Sequence, residues 1–165
     1  MNRNDEKNDK LTRDQVLALD IATHCGYHST HGSGTWNFED SMRRNGNKQY
    51  AQIRDTLMDF VQEHGIKRIV AEEVSAGNAK GGFKTSVKLA TFHGVVMEVC
   101  DRLGLPRPVY INPITLKKWA TGDSKADKAK MIDFCIKRWG LVPVDDNEAD
   151  ATHIFMYYIR KNYID

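Results

Sequence analysis

The sequence predicts an α/β domain built on one mixed sheet with helices on both faces, and three observations support this class. Short apolar runs of strand length are bounded by glycine and proline, and longer segments repeat apolar residues every three or four positions. The two kinds of segment also alternate along the chain. The predicted order is three strands, a helix, a strand, a helix, a strand and then further helices, which is typical of a sheet covered on both sides.

The composition favours a single packed domain. The chain has 165 residues, of which 41% are hydrophobic, and no apolar run approaches the roughly 18 residues that span a membrane. Residues 1–14 carry four acids and four bases with almost nothing apolar, so we expect a flexible tail followed by one domain over residues 15–165. The three cysteines form no CxxC pair, which favours reduced, buried thiols in a cytoplasmic protein.

Five strands are predicted from apolar runs and the residues that bound them. The first covers residues 16–21, and two short strands follow near residues 26–30 and 35–38, separated by glycines. The fourth covers residues 67–74, and residues 106–111 form a short fifth strand between prolines.

Five helices are predicted from apolar periodicity and capping residues. The first begins at a cap at Asp40 or Ser41 and ends at Gly65. The second, over residues 85–103, has a strong amphipathic repeat. A short helix then begins at Asn112 or Thr115 and ends near Gly122, and two more cover residues 126–139 and 147–162.

Carboxylates follow or begin several apolar segments. Asp20 ends the first predicted strand, Glu72 and Glu73 lie near the end of the fourth, and Asp150 lies in the last helix. Buried carboxylates are costly unless they are paired or bind metal, and hard oxygen ligands suit Mg²⁺. Adjacent strand residues point to opposite faces, so only one of the two glutamates can join this site, and alternation alone does not choose between them. The sequence predicts a site for two Mg²⁺ ions roughly 4 Å apart.

Two further residues can complete this site. Asp146 and Asn147 lie four and three residues before Asp150, and both spacings bring a side chain next to Asp150 if the helix has already begun. Asp146 would contribute a negative charge, whereas Asn147 would contribute a neutral carbonyl oxygen.

Basic residues lie next to these acidic segments in the chain. Between residues 112 and 138 there are seven Lys or Arg against three Asp or Glu, and another basic group surrounds a glycine-rich loop at residues 76–82. Ordinary solvated faces would explain this distribution, but so would a polyanion that lysines hold next to a metal site. The expected nucleic-acid contacts are Lys80, Phe83, Lys84, Lys88, Lys117, Lys118, Lys125 and Lys128.

Five segments resemble the RuvC family of Holliday-junction resolvases, which belong to the RNase H-like nucleases. In order, they are LALD at 17–20 with Gly26 and Tyr27, VAEEV at 70–74, SVKLATFHG at 86–94, LKKWATG at 116–122 followed by Lys128, and EADA at 148–151. No single segment is specific, but the match follows the family's order over most of residues 17–158. The divergence resembles that of a phage or mobile-element member.

The resemblance implies an RNase H-like fold and a homodimer that nicks symmetric strands of a four-way DNA junction. Hydrolysis would depend on two Mg²⁺ ions, with Mn²⁺ as an alternative, and would leave a 5′-phosphate and a 3′-hydroxyl. It implies that Asp20, Glu72 and Asp150 are metal ligands, favouring Glu72 over Glu73. It also implies basic residues beside the scissile phosphate, namely Lys128 with Lys117 or Lys118.

The chain departs from the family at two positions. Family members commonly have Asp or His three residues before the last acid, where this chain has Asn147, so Asp146 is a second candidate for the fourth ligand and for a catalytic role. Members often carry a base-stacking aromatic three residues after the catalytic glutamate, where this chain has Ser75, and Phe83 is the substitute. Two other functions fit the same fold: cleavage of other branched DNA or RNA–DNA hybrids, and junction binding without catalysis.

Overall fold

Five strands form one mixed sheet in the computed structural model, which describes residues 10–39, 48–74 and 81–165. The strands are β1 (Val16–Asp20), β2 (His24–Ser29), β3 (Gly32–Asn37), β4 (Arg68–Glu72) and β5 (Val109–Ile111). Their order across the sheet is β3-β2-β1-β4-β5. β1, β2 and β3 pair antiparallel as a meander, whereas β4 and β5 are parallel to β1 because a helix crosses over before each of them.

Five helices cover the sheet, as the sequence predicted. They are α1 (Lys48–His64), α2 (Gly82–Arg102), α3 (Pro113–Thr121), α4 (Lys128–Trp139) and α5 (Asp146–Lys161). Side chains cap three of them, since Asn112, Asp127 and Asp145 accept backbone N–H groups at the starts of α3, α4 and α5. The predicted cap of α1 at Asp40 or Ser41 lies outside the described residues.

The two faces of the sheet bury separate cores. Leu17, Leu19 and the other inward residues on that face of the sheet pack with α1 and α2. Val16, Ala18 and Val70 face the other way, onto α3 and α5. The α/β class with a five-stranded mixed sheet and helices on both faces is therefore confirmed.

The two ends of the described chain lie together. Residues Arg13–Gln15 form a 3₁₀ turn, although residues 13 and 14 were assigned to the tail. The Arg13 backbone N–H donates to the Asp165 carbonyl oxygen, and its Nε donates to the Ile164 carbonyl oxygen. Cys25, Cys100 and Cys135 are free and buried, as predicted. In the part of the chain described here, no helix combines the length and apolar character needed to cross a membrane.

Candidate active site

Asp20 and Glu72 lie side by side because of strand register. β1 and β4 are parallel, and Leu19 pairs with Ala71, so the next residue in each strand is one of the two acids. Both acids continue the alternation of Ala18 and Val70, which face α5. Glu73 points the other way and is exposed. Register therefore brings Glu72 rather than Glu73 next to Asp20.

Asp150 and Asp146 approach the same place from the first turns of α5. A Cβ built on Gly26 would lie 1.9 Å from the Asn147 carbonyl oxygen, so the helix backbone rests directly on this glycine. Gly26 is the antiparallel partner of Asp20. The absence of a side chain at Gly26 thus lets the start of α5 reach the end of β1.

Hydrogen bonds from β3 fix the first turn of α5. Thr35 Oγ1 donates to Asp145 Oδ1 at 2.6 Å, and Ser33 Oγ donates to Glu148 Oε1 at 2.7 Å. The other Glu148 oxygen accepts the Val144 backbone N–H at 2.6 Å. Asp145 and Glu148 therefore accept hydrogen bonds that position the helix. Asp146 and Asp150 remain to face the sheet.

The electrostatics show that the four acids are neighbours. Burial raises the pKa of Asp20 well above its ordinary value, and the charges of Asp150, Glu72 and Asp146 raise it further. Burial, followed by Glu72 and Asp146, raises the pKa of Asp150 to about 7. Burial also raises the pKa of Glu72, against the effect of Lys117. Such buried like charges favour either protonation or a bound cation.

One oxygen of this group has no partner in the described part of the chain. Asp150 Oδ1 is buried and makes no hydrogen bond with any described residue, which is rare for a carboxylate oxygen and costly in free energy. The surrounding donors are carboxylate oxygens, which are the ligands that Mg²⁺ and Mn²⁺ prefer. The chemistry of these residues therefore fits a hard divalent cation.

The side chains are not gathered around one point. Across residues 10–39, 48–74 and 81–165, no three His, Cys, Asp or Glu side chains stand close enough to hold a metal ion as they are. Lys128 Nζ lies 2.9 Å from Asp146 Oδ2, so this carboxylate is held in an ion pair. Binding a cation would require rotation of the acidic side chains and a change in this ion pair.

Asn147 is oriented differently from Asp146. Its backbone packs on Gly26, and its residue lines a cavity of about 330 Å³ next to the acids. The other lining residues are Ala22, Thr23, His24, Thr85, Lys88, Leu89, Phe92 and Lys128. Asp146 instead contributes to the raised pKa values of both Asp20 and Asp150. The geometry favours Asp146 as the fourth acid of the group.

The predicted basic residues divide into two sets. Lys117 and Lys128 lower the pKa of Asp150 and so lie near the acids, whereas Lys118 has no such effect and is exposed. Lys88 lines the adjacent cavity. The predicted contacts Phe83, Lys84 and Lys125 are exposed, and Phe83 has 83% of its surface open to solvent. Lys80 and Ser75 lie outside the described residues.

The role of the residues that position α5 was not predicted from the sequence. Ser33, Thr35 and Glu148 reveal their partners only in the folded chain, because more than 100 residues separate β3 from α5. One signal was available: the spacing of Asp145 and Glu148 is that of a capping pair at a helix start.

The overall fold has known counterparts. The chain matches Thermus thermophilus RuvC in complex with a Holliday junction substrate, with a TM-score of 0.68 and 17% identity over 89% of this chain and 95% of that one. RuvC from the same organism matches with a TM-score of 0.67 and 17% identity over 89% and 96% of the two chains. The yeast mitochondrial Holliday junction resolvase Ydc2 matches with a TM-score of 0.60 and 11% identity over 93% and 80%.

No protein-family model matches the chain, and no curated protein matches it significantly. At these identities the structural matches establish a shared fold. The resemblance to RuvC noted from sequence segments is confirmed at that level, and so is the RNase H-like fold class.

Proposed function

We propose that this RuvC-like chain is a metal-dependent endonuclease that resolves four-way DNA junctions by nicking symmetric strands. The observation that supports this most directly is that Asp20, Glu72 and Asp150 lie within electrostatic reach of one another, with an Asp150 oxygen that is buried and has no hydrogen-bond partner among the described residues, in a fold shared with RuvC. Thermus thermophilus RuvC, which shares this fold, has been captured with a Holliday junction. We also expect a cytoplasmic protein of a bacterial host; its phage origin stays a prediction.

Four carboxylates would hold the cofactor: Asp20, Glu72, Asp146 and Asp150, with Asn147 as the alternative to Asp146. Two bound Mg²⁺ ions, or Mn²⁺, would supply Lewis acids for the attacking and leaving oxygens of an in-line phosphoryl transfer. The products would be a 5′-phosphate and a 3′-hydroxyl. The positions of the four acids at the end of β1, the end of β4 and the start of α5 would fix the cut to one phosphodiester.

Two lysines would act on the substrate itself. Lys117 and Lys128 both lower the pKa of Asp150, so both lie within electrostatic reach of this carboxylate. Lys128 is exposed, and its ammonium can exchange the Asp146 carboxylate for a phosphate oxygen. A positive charge there stabilises the charge that develops on the phosphate in the transition state. Lys88 would hold a neighbouring phosphate at the 330 Å³ cavity.

A homodimer would present two such sites to a two-fold junction. The outer faces of α1 and α2 enclose a shallow cavity of about 480 Å³, lined by Tyr50, Ala51, Arg54, Thr91, Gly94, Val95 and Glu98. A side chain added at Gly94 would meet nothing within 4 Å, so a second helix can approach the backbone there. This face also leaves the acids, at the ends of the strands, open to DNA.

The direct test is cleavage of a labelled junction in Mg²⁺, with the product ends mapped. Asp150→Asn should reduce the rate at least a hundredfold because it removes one charged ligand. Asp133→Asn, which neutralises an exposed carboxylate on α4, is the matched control and should cut at the parent rate. Equal rates for Asp150→Asn and the parent would rule out this site.

A second pair of variants tests the lysine assignment. Lys128→Gln should slow single-turnover cleavage roughly tenfold to a hundredfold, since it removes a charge next to the reacting phosphate. Lys118→Gln removes the same charge from an exposed position of α3 and should have little effect. An equal loss in both variants would mean that Lys128 acts only through general DNA affinity.

Other substrates and an inactive binder are the competing functions. The binder is favoured by Asn147 and by carboxylates that, among the described residues, are not grouped closely enough to hold a metal ion. Catalysis is favoured by the presence of all four acids, namely Asp20, Glu72, Asp146 and Asp150. Junction, flap, RNA–DNA hybrid and linear duplex should be compared under the same conditions. Preferred cutting of the hybrid would replace the resolvase proposal, and tight junction binding without cleavage in either Mg²⁺ or Mn²⁺ would favour the binder.

A further inference from the structure

A cluster of aromatic rings and positive charges lies on α3, α4 and α5, away from the acids. We call it the Arg–Trp surface, and its members are Trp119, Arg138, Trp139, Tyr157, Arg160 and Lys161. The Arg138 guanidinium lies 4.4 Å from the ring centre of Trp119 and 4.6 Å from that of Trp139. Arg160 lies 4.8 Å from the Trp139 ring, and Lys161 lies 5.7 Å from the Tyr157 ring.

Folding explains part of this cluster. Arg138 donates to the carbonyl oxygens of Trp119 and Ala120 at the end of α3, and Trp139 Nε1 donates to His153 Nδ1 at 3.1 Å. These bonds hold the two indole rings and one guanidinium in place. They give no role to Arg160 or Lys161, which are exposed at the end of α5.

The charges of the cluster are not neutralised. Among the described residues, no carboxylate forms an ion pair with Arg138, Arg160 or Lys161. Arg138 and Arg160 both lie on Trp139, and burial, followed by the charge of Arg160, lowers the pKa of Arg138. Two guanidinium groups that share one ring without a counter-charge repel each other, so an anion bound there would relieve the repulsion.

The position of the cluster favours a long polyanion. Arg160 lies ten residues after Asp150 on the same helix, which corresponds to about 15 Å along its axis. Phosphates of one DNA strand are spaced about 3.4 Å apart along the duplex, so about four or five steps cover this distance. Arginine held flat on an aromatic ring keeps its N–H groups available for phosphate oxygens.

We infer that the Arg–Trp surface binds the phosphate backbone of a duplex arm that leaves the proposed cleavage site. This inference rests on the proposed function, because DNA bound at the proposed cleavage site would lie at the start of α5. The Arg–Trp surface lies at the other end of the same helix. The surface contributes affinity and arm orientation rather than chemistry, and its partner is double-stranded nucleic acid of any sequence.

The test compares two double variants with equal charge loss. Arg160→Gln with Lys161→Gln removes two exposed charges of the surface, and Lys67→Gln with Arg107→Gln removes two exposed charges elsewhere. Junction binding is measured over a salt series in Ca²⁺, which takes the same oxygen ligands as Mg²⁺. The first variant should bind about tenfold more weakly at low salt, and its log–log salt slope should fall by about 2, or roughly 0.9 per lost phosphate contact. The control should keep the parent slope.

Two further measurements separate this surface from the cleavage site. Backbone footprinting of the junction should lose protection several nucleotides from the cut in the Arg160/Lys161 variant, with protection at the cut retained. Its cleavage rate at saturating protein should equal that of the parent. An unchanged slope and footprint, or a preference of the surface for an acidic polypeptide, would overturn the inference while leaving the proposed function intact. A parent protein that neither binds nor cuts any branched DNA would overturn both.

Discussion

The carboxyl group of Asp150 combines burial, acidic neighbours and an oxygen that has no hydrogen-bond partner among the described residues. Burial, Glu72 and Asp146 raise its pKa to about 7, so at neutral pH its charge is held at a cost in folding free energy. A cost in folding free energy of this kind is typical of a functional site at which a bound ligand supplies the missing interaction. The same residue should therefore limit stability in the absence of metal and confer stability in its presence.

Asp150→Asn should separate these two effects. Without metal, we expect the variant to be more stable than the parent by about 1 kcal/mol because it removes a buried charge repulsion. With Mg²⁺ at about a hundred times its dissociation constant, the parent should gain about 2.7 kcal/mol, and the variant should gain far less. Thermal unfolding with and without Mg²⁺ measures both, with Asp133→Asn as the control. A variant that gains as much from Mg²⁺ as the parent would contradict the assignment.

His28 is a buried base that should make the fold sensitive to acid. Burial lowers its pKa to about 4, against the raising effect of Glu148, and its ring contacts Phe155 and Thr152. The unfolded chain binds this proton near pH 6.5, before the folded chain does, so stability is intact above pH 6.5 and falls as the pH drops towards 4. The full loss is about 3 kcal/mol from this one group.

The prediction is that His28→Asn flattens this part of the pH dependence. Denaturant unfolding at pH 7 and pH 4.5 should show a smaller difference for His28→Asn than for the parent, whatever its stability at pH 7. The exposed His31 provides the control, and His31→Asn should keep the parental difference. Identical pH profiles for parent and His28→Asn would mean that carboxylates alone account for acid sensitivity.

At the scale of elements, the position of α5 relative to β1 decides whether there is a site. Gly26 in β2 admits the helix backbone, while Ser33 and Thr35 in β3 hold its first turn by hydrogen bonds to Glu148 and Asp145. The hairpin of β2 and β3 thus supports and positions the helix that carries Asp146 and Asp150. Such supporting contacts typically matter for metal affinity almost as much as the ligands do.

Gly26→Ala should disturb the contact between this hairpin and α5. The added methyl carbon would lie 1.9 Å from the Asn147 carbonyl oxygen, so α5 must move, and we expect a loss of roughly 2–3 kcal/mol in stability with at least a tenfold loss of cleavage. Gly94→Ala adds the same methyl inside α2 where nothing lies within 4 Å. Because Gly94 lies in the proposed partner face, this control is compared as a monomer, where it should be neutral or stabilising by up to about 1 kcal/mol. Urea unfolding measures both, and a Gly26→Ala protein with parental stability and cleavage would contradict the close contact.

At the scale of the whole molecule, the acids and the proposed partner face lie on different parts of the domain. The acids lie at the ends of β1 and β4, on the α5 side of the sheet, while the open face of α1 and α2 lies on the opposite side. A two-fold pair formed through α1 and α2 would leave both sites accessible to one junction. Under the proposed function, such a pair would be able to nick two strands in a coordinated way.

Val95→Asp should test this assembly. The substitution places a charge in the α1–α2 face and should convert a dimer into monomers, which sedimentation would detect. The variant should still nick a junction slowly but should lose paired nicking on a closed circular substrate. Val142→Asp, at an exposed apolar position between α4 and α5, is the control and should stay dimeric. A monomeric parent that nicks in pairs would contradict the dimer.

Local sequence signals were enough to predict the class, number and order of the regular elements and the acids that could form a site. Apolar periodicity and capping residues are local signals, so β1 to β5 and α1 to α5 could be predicted to within a few residues at most ends. Buried carboxylates are costly wherever the chain places them, so Asp20, the pair Glu72 and Glu73, and Asp150 could be singled out before their neighbours were known, and the resemblance to RuvC favoured Glu72 of the pair.

Only the tertiary structure decided which of these residues meet. Strand register selected Glu72 over Glu73, the ion pair with Lys128 and the contact of Asn147 with Gly26 distinguished Asp146 from Asn147, and proximity selected Lys117 over Lys118. The Arg–Trp surface likewise joins three helices. The reason is physical: local signals extend over a few residues, whereas these pairings depend on distances between segments up to about a hundred residues apart, which register and packing set only when the chain has folded.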